Sequence, residues 1–120
     1  MIVAAILLLI ATPANPDWRE FEQRRRGTAD SPTLYDAAHI VRRGGRVRVW
    51  IQYEGRLSGL PDPRHTELVE IDCRLNRARR LDWILVQGPL RRSGAYQSRL
   101  RPIASGSLEA ALAPHLCIPG

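Results

Sequence analysis

The sequence contains no lysine. All 18 basic residues are arginine, against 12 acidic ones, giving a formal net charge of +6 and a pI near 10.6. Exposed positions tolerate either basic residue, so stability gives no reason for the bias. Codon usage in a GC-rich genome accounts for it more simply than selection of arginine forks for carboxylate, phosphate or sulfate. The arginines are scattered, and the densest run is Arg24-Arg25-Arg26. Cysteine is equally scarce, with Cys73 and Cys117 the only two, beside the histidines His39, His65 and His115. A zinc site needs about four clustered ligands, and no paired spacing of these five residues supplies them. Also missing are a Gly-x-Ser-x-Gly nucleophile turn and a phosphate-cradling glycine pattern. There is no internal repeat, no long linker and no long apolar run beyond the N-terminus. These absences argue against a metal centre, a cofactor and an enzyme, and against a transmembrane segment in the mature chain.

The uncharged apolar run Met1 to Ala11 leads into Thr12-Pro13-Ala14, with small residues at the −3 and −1 positions of a cleavage site. About 20 apolar residues span a bilayer, so this shorter run reads as a signal peptide over residues 1–14. No basic residue precedes it, so either the signal is atypical or the natural start lies upstream. An uncleaved anchor is the competing reading, and the run is short for one. Residues 15–120 then form a single domain, large enough for a core of its own.

In an exported chain, two cysteines this far apart are most simply a disulfide. It would pin a terminal helix onto a sheet. The clearest strand is Arg46 to Tyr53, with Val47, Val49, Ile51 and Tyr53 on one face and Arg46, Arg48, Trp50 and Gln52 on the other. Gly44-Gly45 supplies the turn of a hairpin from Ile40-Val41. From Thr66 to Arg74, Val69, Ile71 and Cys73 face in, and Glu70, Asp72 and Arg74 face out. A turn near Asn76-Arg77 leads to a strand over about 78–87, with Leu81, Trp83 and Leu85 sharing a face. Residues 17–26 fit a helix or an edge strand equally. Gly27 to Pro32 reads as turn-rich, Gly55 to Pro63 as a loop, and Gly88 to Ser98 as a polar, mobile segment. Ser107 is placed to cap a helix carrying Leu108, Leu112 and Leu116 as a stripe, with Glu109 in its first turn. Pro114 predicts a bent last turn.

The order of these motifs resembles the surface-adhesin protein E family. The shared features are Arg-Val-Arg-Val-Trp after a Gly-Gly turn, Val69-Glu70-Ile71-Asp72-Cys73, an Arg-rich turn into a strand, and Pro102-Ile103-Ala104-Ser105-Gly106-Ser107 before a leucine-striped helix closing on Cys117. Tyr35-Asp36 with Ile40 resembles the family's early strand. The resemblance spans roughly residues 33–117. Leu100 stands near a position where such proteins often carry tryptophan, and Pro114 interrupts their helix. The resemblance implies an antiparallel sheet packed by a C-terminal helix and tied by Cys73–Cys117. It also implies export to the periplasm or outer surface of a Gram-negative bacterium, and adhesion.

The fold expected is therefore α+β: an antiparallel sheet of about four to six strands, with a C-terminal helix on one face and a disulfide tying them. Val47, Val49, Ile51, Val69, Ile71, Leu112 and Leu116 should share the core. Asp36 with His39 could be an acid–base fragment, and a local hydrogen bond or cap is the preferred reading. Arg48, Trp50 and Gln52 are the candidate interaction face, because an exposed Trp flanked by Arg is typical of interface anchors. The preferred alternative is that Trp50 packs beneath the N-terminal segment or a loop. The function expected is a non-enzymatic exported binding domain of the envelope, adhesin-like by resemblance. The alternative is a basic envelope protein that binds anionic lipid or polysaccharide. The partner is then a protein or an anionic envelope or host polymer, with a homodimer allowed. Nucleic acid is not expected, since an exported protein rarely meets it.

Overall fold

The computed structural model describes residues 11–26, 29–54 and 63–118, with the side chains of 24–31 left aside. The leader expected over 1–14 lies outside the described residues except for its last four, and so does most of the Gly55–Pro63 loop. Among the described residues are eight strands and one helix: β1 (Trp18–Arg26), β2 (Ala29–Asp36), β3 (Val41–Arg43), β4 (Arg46–Glu54), β5 (Arg64–Asp72), β6 (Arg77–Gln87), β7 (Leu90–Ala95), β8 (Arg101–Pro102) and α1 (Leu108–Leu116). All eight strands lie in one antiparallel sheet. Its order is β1-β2-β4-β5-β6-β7, with β3 beside β4 and β8 beside β6.

Four to six strands thus understates the sheet. Ala29 to Pro32 extends β2 by pairing with β1, and β4 joins β2 only from Thr33 onward. Pro32 therefore sits where β2 has a single neighbour, a position that tolerates a missing N–H. The segment read as mobile contains β7, whose six residues pair with Gln87 back to Asp82 of β6. Its sequence alternates poorly, and the pairing is imposed by the adjacent strand and the positive-φ turn at Gly88. Between β5 and β6 the register slips at Leu68/Val69, where Val69 pairs with Arg80 and Leu68 with Asp82. Leu81 is the extra residue of this bulge. It drops out of the face shared by Trp83 and Leu85, and Arg80 takes that side instead.

The core forms between the sheet and α1. Val47, Val49 and Ile51 of β4 face Ile71, Val69 and Glu67 of β5 in register, and α1 lays Leu112 and Leu116 over them. All seven expected core residues are in this cluster, with Tyr35 and Ala78. The Ser107 hydroxyl accepts the N–H of Ala110 at 3.1 Å, capping the helix as its sequence suggests. Pro114 lies inside α1, yet the helical ladder resumes beyond it with Cys117 N–H donating to Ala113 O at 2.7 Å. His115 of α1 meets Tyr35 and Phe21 with ring centroids 5.5 and 6.3 Å away, joining the helix to the β1–β2 hairpin. The Cys73–Cys117 disulfide clamps the helix end to the chain just past β5. Among the described residues, no helix is long and apolar enough to cross a membrane.

Candidate functional site: an arginine face built on Glu70

Alternation along β4, β5 and β6 sends every second side chain away from α1. The observed registers line these up in two cross-strand rows on the helix-free face. One row runs Val41–Arg48–Glu70–Arg79 and the next Arg43–Arg46–Asp72–Arg77. Each row therefore sets a carboxylate of β5 between arginines of β4 and β6. Five arginines outnumber two carboxylates, so the two rows stay positive after pairing.

Glu70 is the centre. It is only 1% exposed although it sits on the side of β5 expected to face solvent. Arg48 Nε donates to its Oε2 at 2.6 Å, Arg79 Nε to Oε1 at 3.0 Å, and Arg46 Nη1 lies 3.5 Å from Oε1. Burial works against ionisation of Glu70, but the bonds from Arg48 and Arg79 outweigh it and hold the carboxyl below the usual glutamate range. Asp72 is fixed differently. Its Oδ1 accepts the N–H groups of Arg74 and Leu75, both at 3.1 Å, and Oδ2 lies 3.7 Å from Arg46 Nε.

The geometry of the Glu70 contacts has a chemical consequence. Arg48 and Arg79 reach the carboxylate through Nε, so that bond leaves the two terminal nitrogens of each guanidinium clear of it. The Arg48 side chain remains 49% exposed. A buried anion thus orients cations at the surface, with little freedom left to lose when an anionic group docks on their forks. Beside them a depression of about 260 Å³ opens between Val41, Arg43, Arg46, Arg48 and Glu70.

Of the three residues expected to form an interaction face, Arg48 belongs to this site. Trp50 is 7% exposed and does not present an anchor at the surface. Gln52 is half-buried and donates from Nε2 to Thr66 Oγ1 at 3.3 Å. Asp36 and His39 do meet, with His39 Nδ1 2.8 Å from Oδ2. Oδ1 of Asp36 accepts the N–H groups of Asp17 and Ala38 at 2.9 and 3.1 Å. Asp36 therefore ties the start of β1 to the turn after β2. Among the described residues, no group of three or more His, Cys, Asp or Glu is placed to hold a metal ion.

A second polar cluster lies on the helix side. Glu67, almost fully buried, accepts from Tyr53 Oη at 2.5 Å and from Arg80 Nη1 at 2.8 Å, and Arg80 Nε donates to Glu109 Oε1 at 3.0 Å. Burial together with the Glu67 contact pushes the Tyr53 phenol above its ordinary range. Burial also works against the Arg80 charge, but Glu67 and Glu109 more than compensate. This chain of contacts joins the first turn of α1 to β5 and β6. One signal for it was available in the sequence: a carboxylate at an inward position of β5, in phase with Val69 and Ile71. Neither protein-family models, nor curated proteins, nor solved structures give a match to this chain, so its site is read from its own geometry.

Proposed function

We propose that this chain is an exported, non-enzymatic binding domain of the bacterial envelope whose arginine face captures anionic groups on a polymer of the envelope or host. The observation that carries this reading is the pair of rows in which buried Glu70 and Asp72 hold arginines at the surface, five arginines to two carboxylates. An exposed depression lined by Arg43, Arg46 and Arg48, together with Val41 and the arginine-paired Glu70, gives an anionic group a place to sit. The disulfide and the apolar N-terminal run support an oxidising compartment. The resemblance to surface-adhesin protein E supports export and an adhesive role. Recognition of a protein through an aromatic anchor loses its main support with Trp50 buried, so anion capture is the reading preferred.

The test is titration of the purified chain with a carboxylated or sulfated polysaccharide over a range of salt. Saturable binding should weaken steeply as ionic strength rises. Arg48→Gln should weaken it at every salt concentration while the protein stays folded. Absence of saturable binding at low ionic strength, or binding indifferent to salt, would overturn the proposal.

A further inference from the structure

The β3–β4 hairpin carries arginines on both of its sides. The depression beside Glu70 opens on the helix-free face. A second depression, also of about 260 Å³, opens on the helix side between Arg42, Arg43, Arg46, Cys117 and Ile118. Arg42 pairs with Val47, whose side chain enters the core under α1, and this fixes Arg42 on that side of the sheet. Its Nη1 also donates to Leu116 O at the end of the helix. The described lining holds three arginines and no carboxylate. Arg43 and Arg46 border both depressions, so the two meet at the Gly44-Gly45 turn, where both glycines take positive φ (57° and 82°).

We infer that the ligand is a flexible anionic polysaccharide that crosses this hairpin and places one anionic group in each depression. The inference rests on the proposed capture of anions by the arginine face and adds a second subsite and a ligand class. The geometry separates polymer from membrane. The two depressions lie on opposite sides of one sheet, and a planar anionic surface can meet only one of them at a time. A chain that bends around the turn can meet both, and the second contact is then intramolecular and raises apparent affinity without any new kind of interaction. Arg43 and Arg46, shared by both depressions, give it continuous positive charge on the way.

The experiment uses oligogalacturonides of graded length, titrated at one fixed ionic strength into the full oxidised chain. Affinity should climb slowly at first and then step up by at least about tenfold once an oligomer reaches both depressions. Arg42→Gln should abolish the step, whereas Arg48→Gln should weaken short and long oligomers alike. If Arg42→Gln does not fold, Ile118→Glu sets a negative charge on the rim of the same depression, at a residue 69% exposed, and should abolish the step in the same way. A smooth rise with length that neither variant alters would overturn the second subsite while leaving anion capture intact. Tighter binding to phosphatidylglycerol vesicles than to the longest oligomer would overturn the polysaccharide. Failure of every length to bind would remove the underlying function as well.

Discussion

At Glu70, burial and charge pull in opposite directions, and the arginines decide the outcome. Because the folded carboxyl titrates below its ordinary value of 4.5, its contribution to stability is complete above that pH and is lost as pH falls toward the folded value. Glu70→Gln removes the charge but keeps the shape. Its arginine partners are 27–49% exposed, so water screens part of the loss, and the cost should be about 1–3 kcal/mol at neutral pH. The gap in melting temperature between parent and variant should narrow as pH falls from 4.5 through the lower value of the folded carboxyl; a gap that stays constant would mean that Glu70 acts by packing alone. A sharper steric test is Gly94→Ala. A Cβ at Gly94 would lie 2.8 Å from the Trp83 indole, so the ring must shift, and thermal melts should show a loss of about 1–3 kcal/mol. Little of this could be read along the chain. Alternation places Glu70 opposite the core and marks it as solvated. Its burial depends on Arg48 and Arg79, which lie 22 and 9 residues away and meet it only once two registers are set.

Among the elements, α1 depends most on help from outside itself. Nine residues make about 13 Å of helix, too little to persist alone. It is held by Leu112 and Leu116, by the Arg80–Glu109 contact and by Cys117. Opening a loop of 44 residues removes roughly 4 kcal/mol in the chain-entropy account. Reduction should therefore deprotect amides of 108–117 before those of β4 and β5, which hydrogen exchange with and without reductant would show. Equal protection in both conditions would assign the helix's stability to packing. Strand β4 and the helix were legible because their apolar residues recur at every second and every fourth position, and β5 because Val69, Ile71 and Cys73 do the same; β6 could be placed, but the bulge at Leu81 broke the face its alternation suggested. The β1–β2 hairpin and β7 were not, because their alternation is weak and their neighbours complete them. Two-residue β8 has no pattern to read at all.

On the scale of the whole molecule, one side of the sheet packs its apolar centre under α1 and the other carries the two arginine rows, and a charge placed within the apolar centre should be felt everywhere. Val49 is fully buried at the centre of β4. A carboxylate there would have no partner, so Val49→Asp should cost several kcal/mol and leave little folded protein by circular dichroism. A parent-like melt would show that the core tolerates a charge at its centre. The connectivity has a further consequence, in time rather than in energy. Apart from the step from β2 to β4, each strand of the main path lies beside the one made just before it, so the sheet can assemble progressively from local hairpins. The residues that cover Val47, Val49, Ile51, Val69 and Ile71 come last, at 108–117. Until they arrive, a nearly complete sheet shows its apolar face to whatever is nearby. A chain emerging N-terminus first would pass through that stage every time, in need of a chaperone or of speed. The final turn, with its cysteine, is what ends the exposure.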